Sequence, residues 1–175
     1  LECIPTLPSN SASTKMLVLE AAKAVHNIET TLAIIISQMS ELCKSLPEFS
    51  VVRTMAGVGD VLAPRIIAEI GDVRRFHSAS ALIAYAGIDT PPYESGKFRA
   101  SNRKITKRGS ASLRKTGYEI IQALKIVHPQ DDNAVYQYLI KKENEGKPLK
   151  VAKIAALNKF LRIYYARVKE VYSNL

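Results

Sequence analysis

The chain has 175 residues, 47% of them hydrophobic, enough for one compact domain with an extension and too little for two full domains. No run of 18 or more apolar residues is present, and the N-terminus lacks the basic, apolar, small-residue order of a signal peptide, so a membrane span and a secretory leader are not expected. Cys3 and Cys43 stand far apart with no CxxC and no His nearby, which argues against a disulfide framework or a zinc site and fits a reducing cytoplasm. The net charge of +9 is unevenly spread: residues 1–50 hold three Lys against five Glu, whereas residues 51–175 hold 22 Lys and Arg against 11 Asp and Glu. From Lys97 to Lys115 there are eight basic residues and no acidic one. A solvated charged face usually mixes signs, so a one-sign stretch points to a polyanionic partner, with DNA, RNA and an anionic membrane all open on charge alone.

Residues 1–14, rich in Pro, Ser, Thr and Asn, read as a flexible leader. The chain begins at Leu1, and a piece of a longer protein is expected. Residues 15–48 read as a long helix closed by Pro47, with apolar residues at Leu17, Ala21, Ala24, Ile28, Leu32, Ile35, Met39, Leu42 and Leu46. That spacing is a heptad seam with one stutter, as in a coiled coil, and such a stripe must be covered by a second copy, a neighbouring domain or the chain's own core.

Residues 49–175 read as a compact helical domain. A short helix is expected over Phe49–Met55, a second from about Val61 to Ile70, and a third from Ser78, its N-cap, to a stop at Gly87. Residues 88–109, with Pro91, Pro92, Gly96 and Gly109, form a long functional loop or a short hairpin. Ser110 caps a helix to about Val127, Asp131 and Asp132 open the next, and Pro148 starts the last. The apolar face expected for the last helix carries Val151, Ile154, Leu157, Leu161, Tyr165, Val168 and Tyr172. The fold class is therefore mainly α.

Two segments carry chemistry. In 49–71, Met55-Ala56-Gly57-Val58-Gly59-Asp60 leads into a helix bearing Ala63 and Ile67, the pattern of a helix-hairpin-helix. Gly57 and Gly59 permit a tight turn and close approach, so backbone N–H groups and the positive end of the next helix can cradle a phosphate. Such contact positions a nucleic-acid backbone without reading bases. A plain helix–helix turn is the alternative, and Asp60 counts against phosphate contact unless it caps the helix. In 88–109, Ser95 precedes Gly96 among Lys97, Arg99, Arg103, Lys104, Lys107 and Arg108. A loop hydroxyl among cations suits phosphoryl transfer, because a phosphodiester repels anionic attackers and the added charge needs stabilising. A simple Ser-Gly turn explains the same residues, and Tyr93 is a rival nucleophile. His26, His77 and His128 read as helix-face or loop residues, and no carboxylate cluster suggests a two-metal site.

In order along the chain stand Gly57-Val58-Gly59, Ile70-Gly71-Asp72 with Phe76, Leu82-Ile83-Ala84-Tyr85-Ala86-Gly87, Ser95-Gly96-Lys97, Ile105-Thr106-Lys107-Arg108-Gly109 and Leu113-Arg114-Lys115. Over residues 50–170 this ordered set resembles the C-terminal transposase domain of a bacterial insertion-sequence family that joins it to an N-terminal RuvC-like nuclease domain with a four-acid metal site. The resemblance implies DNA recombination in which a serine, matched by Ser95, becomes covalently joined to DNA while a structured guide RNA directs recognition. It implies nucleic-acid contacts at the basic positions, including Arg114 and Lys115. It also implies a long helix that links domains and pairs subunits as a homodimer or higher homo-oligomer. The four-acid domain lies outside this chain, so no cofactor is expected here, a divalent metal such as Mg is expected in that domain, and the chain alone is expected to be inactive. Two other readings stay open: a non-catalytic helix-hairpin-helix DNA-binding module, and an interaction protein whose long helix dimerises and whose basic face is incidental.

Overall fold

The structure, a computed structural model, describes residues 11–90, 104–129 and 133–175, and the backbone alone at 94–95 and 98–99. Seven α-helices account for most of it: α1 Ala12–Lys44, α2 Phe49–Arg53, α3 Leu62–Ile70, α4 Ala79–Ala86, α5 Ala111–Val127, α6 Ala134–Asn144 and α7 Leu149–Ser173. Two-residue strands β1 Glu94–Ser95 and β2 Phe98–Arg99 pair antiparallel, with Glu94 opposite Arg99 and Ser95 opposite Phe98. The mainly α expectation, with at most a short hairpin in 88–109, matches this arrangement.

The chain divides into two units, residues 1–39 and 40–175. In the first, α1 displays its apolar stripe: Leu17, Ile28, Leu32 and Ile35 are each roughly half to two-thirds exposed. In the second, α7 is the central member, packing against α2, α4, α5 and α6, while α3 lies on α5. The core gathers Val52, Ile66, Ile70, Leu82, Leu113, Ile120, Leu124, Leu157, Phe160 and Leu161, all at most 1% exposed.

Local chemistry sets the helix ends. Ser78 Oγ accepts from the Ala81 N–H and Ser110 Oγ from the Leu113 N–H, satisfying N–H groups that have no partner in the first turn. Gly87 ends α4 in the left-handed region (φ +65°), where a side chain is disfavoured. Three details depart from the sequence reading. A single 3-10 turn at Val73–Arg75 precedes α4, its first residues held by Asp72 Oδ1 accepting from the Arg74 N–H. Asn133 is the N-cap of α6, accepting from the N–H groups of Val135 and Tyr136, while Asp131 and Asp132 lie outside the described residues. Of the face expected for α7, Leu157, Leu161, Tyr165 and Val168 are buried as expected, and the departure is confined to its N-terminal end. Ala152 and Ala156 are fully buried, which lets neighbouring helices approach, whereas Val151 is 52% exposed and Ile154 half-buried.

A buried acid joins the two ends of the second unit. Glu48, 3% exposed, accepts from the Tyr172 hydroxyl at 2.6 Å, and the Arg74 guanidinium lies 4.5 Å from the Tyr172 ring centre. Burial and then the bond to Glu48 push the Tyr172 phenol from an ordinary 10.0 up to about 12. A raised folded-state pKa means that the contribution of this bond is complete below pH 10 and fades as pH rises from 10 to about 12. Tyr172→Phe is expected to lower the unfolding free energy by about 1–3 kcal/mol near neutrality, since it leaves a buried carboxylate without its donor. Urea denaturation at neutral pH and again above pH 11 checks this, with the gap between variant and wild type narrowing at the higher pH.

Candidate nucleic-acid interface

The basic segment is anchored to the C-terminal end of α4. After Gly87 turns the chain out of the helix, Ile88–Thr90 leads away, and residues 104–110 return alongside. The Thr106 N–H donates to the Asp89 carbonyl at 3.0 Å, the Lys107 N–H to the Gly87 carbonyl at 2.9 Å, and the Ser110 N–H to the Tyr85 carbonyl at 2.7 Å. Thr106 Oγ1 adds a bond to Asp89 Oδ1 at 2.5 Å. The two segments touch backbone to backbone: a Cβ on Gly109 would lie 2.0 Å from the Tyr85 carbonyl oxygen, and one on Gly87 2.6 Å from the Gly109 nitrogen. Lys107 is held in the left-handed region at φ +56°, uncommon for a residue with a side chain.

Arg114, from the first turn of α5, completes the clamp. Its Nη1 donates to the carbonyls of Ala86 at 3.0 Å, Gly109 at 3.1 Å and Ser110 at 3.3 Å. A fixed cation at the carbonyl end of α4 complements the negative end of the helix dipole. This half-buried guanidinium is therefore committed to the fold on at least one of its arms. Lys104, Lys107, Arg108 and Lys115 are different: all four are exposed, and among the described residues none of them forms an ion pair. Other cations are matched, such as Arg65 with Glu119 and Lys125 with Glu143. The result is a clamped segment carrying Lys104, Lys107 and Arg108, with Lys115 on α5 beside it, all four unneutralised among the described residues.

At the glycine turn of 57–59 the two glycines do different things. Gly57 (φ +83°) faces the body of the domain, where a Cβ would meet the Ile120 carbonyl oxygen at 2.7 Å and Leu124 Cβ at 2.9 Å. Gly59 faces open space, with nothing within 4 Å of a Cβ there. Asp60 does not cap α3; it pairs with Arg53, Nε to Oδ1 at 2.6 Å, both exposed. Ser95 and Arg99 lie on β1 and β2 as backbone only; their side chains, like Tyr93, Lys97 and Arg103, lie outside what is described. Among the described residues no group of three or more His, Cys, Asp or Glu comes together to hold a metal, and no helix is long and apolar enough to cross a membrane.

Sequence reasoning passed over a second basic run. From Lys147 to Lys169 there are seven Lys and Arg and no acid, a one-sign stretch as clear as the first. Its helical periodicity hid it among expected core positions.

A helical domain that clamps a row of unpaired cations to the end of a helix is a class of surface suited to a polyanionic backbone. The chain belongs to the transposase IS116/IS110/IS902 family, whose model matches residues 50–137, from α2 into α6. It is similar to the "Pilin gene-inverting protein" of Moraxella bovis, with 28% identity over 137 residues, 76% of this chain and 42% of that protein. The protein of the same name from Moraxella lacunata matches to the same extent. The chain thus spans less than half the length of these relatives.

Proposed function

We propose that this chain is the DNA-handling and serine-bearing part of a DNA recombinase. Exposed Lys104, Lys107, Arg108 and Lys115 grip phosphates, and Ser95 supplies the nucleophile. The observation that carries the reading is the set of four cations, unpaired among the described residues, three on a backbone-clamped segment and Lys115 on α5 beside it, in a chain of a transposase family whose relatives are named for inverting a gene. In the proposed step, Ser95 Oγ bonds to phosphorus as the P–O bond to the departing strand breaks. The serine proton leaves with that strand's new hydroxyl. A second strand's hydroxyl then reverses the exchange, so the phosphodiester's free energy is kept without ATP. This reading places a divalent metal such as Mg in a nuclease domain beyond this chain. The same reading includes a guide RNA, and it has α1 pairing two copies through its exposed Leu17, Ile28, Leu32 and Ile35.

Duplex binding is expected to weaken steeply with salt. With about six phosphate contacts the slope of log affinity against log salt is about −5. Replacing Arg103, Lys104, Lys107 and Arg108 with Ala should flatten the slope by roughly 3–4. Fluorescence anisotropy over a salt series measures it, and an unchanged slope would move the phosphate contacts off this segment. The second reading, a non-catalytic DNA-binding module, is favoured by Gly59, whose open side leaves room for a phosphate at the turn before α3.

A further inference from the structure

A groove of about 790 Å³ runs between α7 and the returning segment 104–107, within the size range of built ligand sites. Its floor is apolar, formed by Ile105, Val151 and Ile154, with the Tyr138 ring at one side. Its walls carry five cations, Lys104, Lys107, Lys150, Lys159 and Arg162, and among the described residues no carboxylate lines it. Val151 is 52% exposed although it sits on an otherwise well-packed helix. Lys159 Nζ lies 5.0 Å from the Tyr138 ring centre, and Arg162 Nε donates to Asn158 Oδ1 at 3.0 Å, so two of the cations are oriented along the wall.

An apolar floor has no use for the outside of a duplex, whose surface is phosphate and whose bases are stacked away. An unpaired strand offers both chemistries at once: flat faces that stack on aromatic and apolar side chains, and a phosphate at every step. We propose that this groove binds unpaired single-stranded DNA, with a base against Tyr138 and Val151 and flanking phosphates on Lys150, Lys159 and Arg162. The inference rests on the DNA-recombinase reading for its choice of DNA and adds a site for a strand released from its complement. Of the four cations in the duplex grip, Lys104 and Lys107 also line the groove, whereas Arg108 and Lys115 do not, so the two sites overlap at one edge only.

The test is anisotropy of the full chain with a labelled oligo-dT of about 12 nucleotides, its RNA counterpart and a duplex. Tyr138→Ala should weaken oligo-dT binding about 5- to 100-fold. Val151→Glu, at an exposed position that folding tolerates, should weaken it about tenfold or more by placing an anion on the floor. Duplex binding should stay within about twofold for Val151→Glu, and a thermal melt should match wild type. Oligo-dT affinity unchanged in Val151→Glu, or single-strand and duplex binding falling together, would overturn the proposal. Tight RNA binding with none to oligo-dT would overturn the choice of DNA. If duplex binds and no single strand does, only the groove assignment fails; if no nucleic acid binds, the recombinase reading fails with it.

Discussion

Ser95→Ala in the full-length protein is expected to bind DNA as wild type does, yet to form no covalent protein–DNA adduct and no recombinant product. On the proposed reading, removing one hydroxyl takes away the attacking atom and leaves the phosphate contacts proposed for Lys104, Lys107, Arg108 and Lys115 in place. Ser95→Cys should keep a trace of activity, because a thiol attacks but makes a different leaving group. Tyr93→Phe is the control, since it removes the rival hydroxyl with little change of shape. Denaturing gels of protein mixed with labelled DNA read the outcome directly. An adduct that survives Ser95→Ala and vanishes in Tyr93→Phe would make the tyrosine the nucleophile. Adducts and products indifferent to both changes would leave a domain that only binds and positions DNA.

Gly109→Ala is expected to be among the most damaging single substitutions in the domain, costing about 3–5 kcal/mol. Its Cβ would fall 2.0 Å from the Tyr85 carbonyl oxygen and 2.6 Å from that residue's carbonyl carbon, both backbone atoms that cannot swing aside. The segment must then lift from the end of α4, breaking the Ser110-to-Tyr85 bond and disturbing the Arg114 clamp. Duplex affinity should fall in step, because the four cations lose their common platform. Gly59→Ala is the comparison: nothing stands within 4 Å of its new methyl, so its stability should stay within about 1 kcal/mol of wild type. Urea unfolding of the two variants side by side decides the matter, and a Gly109→Ala protein as stable as Gly59→Ala would show that the clamp does not hold.

Features written in local chemistry were legible before the structure. Ser78, Gly87 and Ser110 mark helix ends because cap and stop residues act on backbone groups a few positions away, and all three do so here. Long-range features were not. At the start of α7 the buried positions are Ala152 and Ala156 rather than Val151, which is 52% exposed, while Leu157, Leu161, Tyr165 and Val168 are buried as their spacing indicated. Arg114 looked like one more nucleic-acid contact because charge says nothing of geometry; its carbonyl partners become visible only when α4 and α5 meet. Glu48 and Tyr172, far apart in sequence, meet only through the fold. The site was legible in kind, a basic segment after a helix stop, and the second basic run in α7 was legible in principle, since its lack of acids stands in the sequence.

The attachment of 104–110 to α4 has an evolutionary consequence. Apart from Ile105, which packs on the core, Thr106 and Arg114, it is made by main-chain N–H and carbonyl groups and by the absence of side chains at Gly87 and Gly109. The side chains of Lys104, Lys107 and Arg108 therefore carry little of the attachment, so substitutions there can alter the charge of the segment while the seat beneath stays fixed. Lys107 is the telling position: its left-handed backbone would be easier for Gly or Asn, so a lysine there carries a conformational cost. Selection on specificity and selection on foldability thus act on different atoms of the same seven residues.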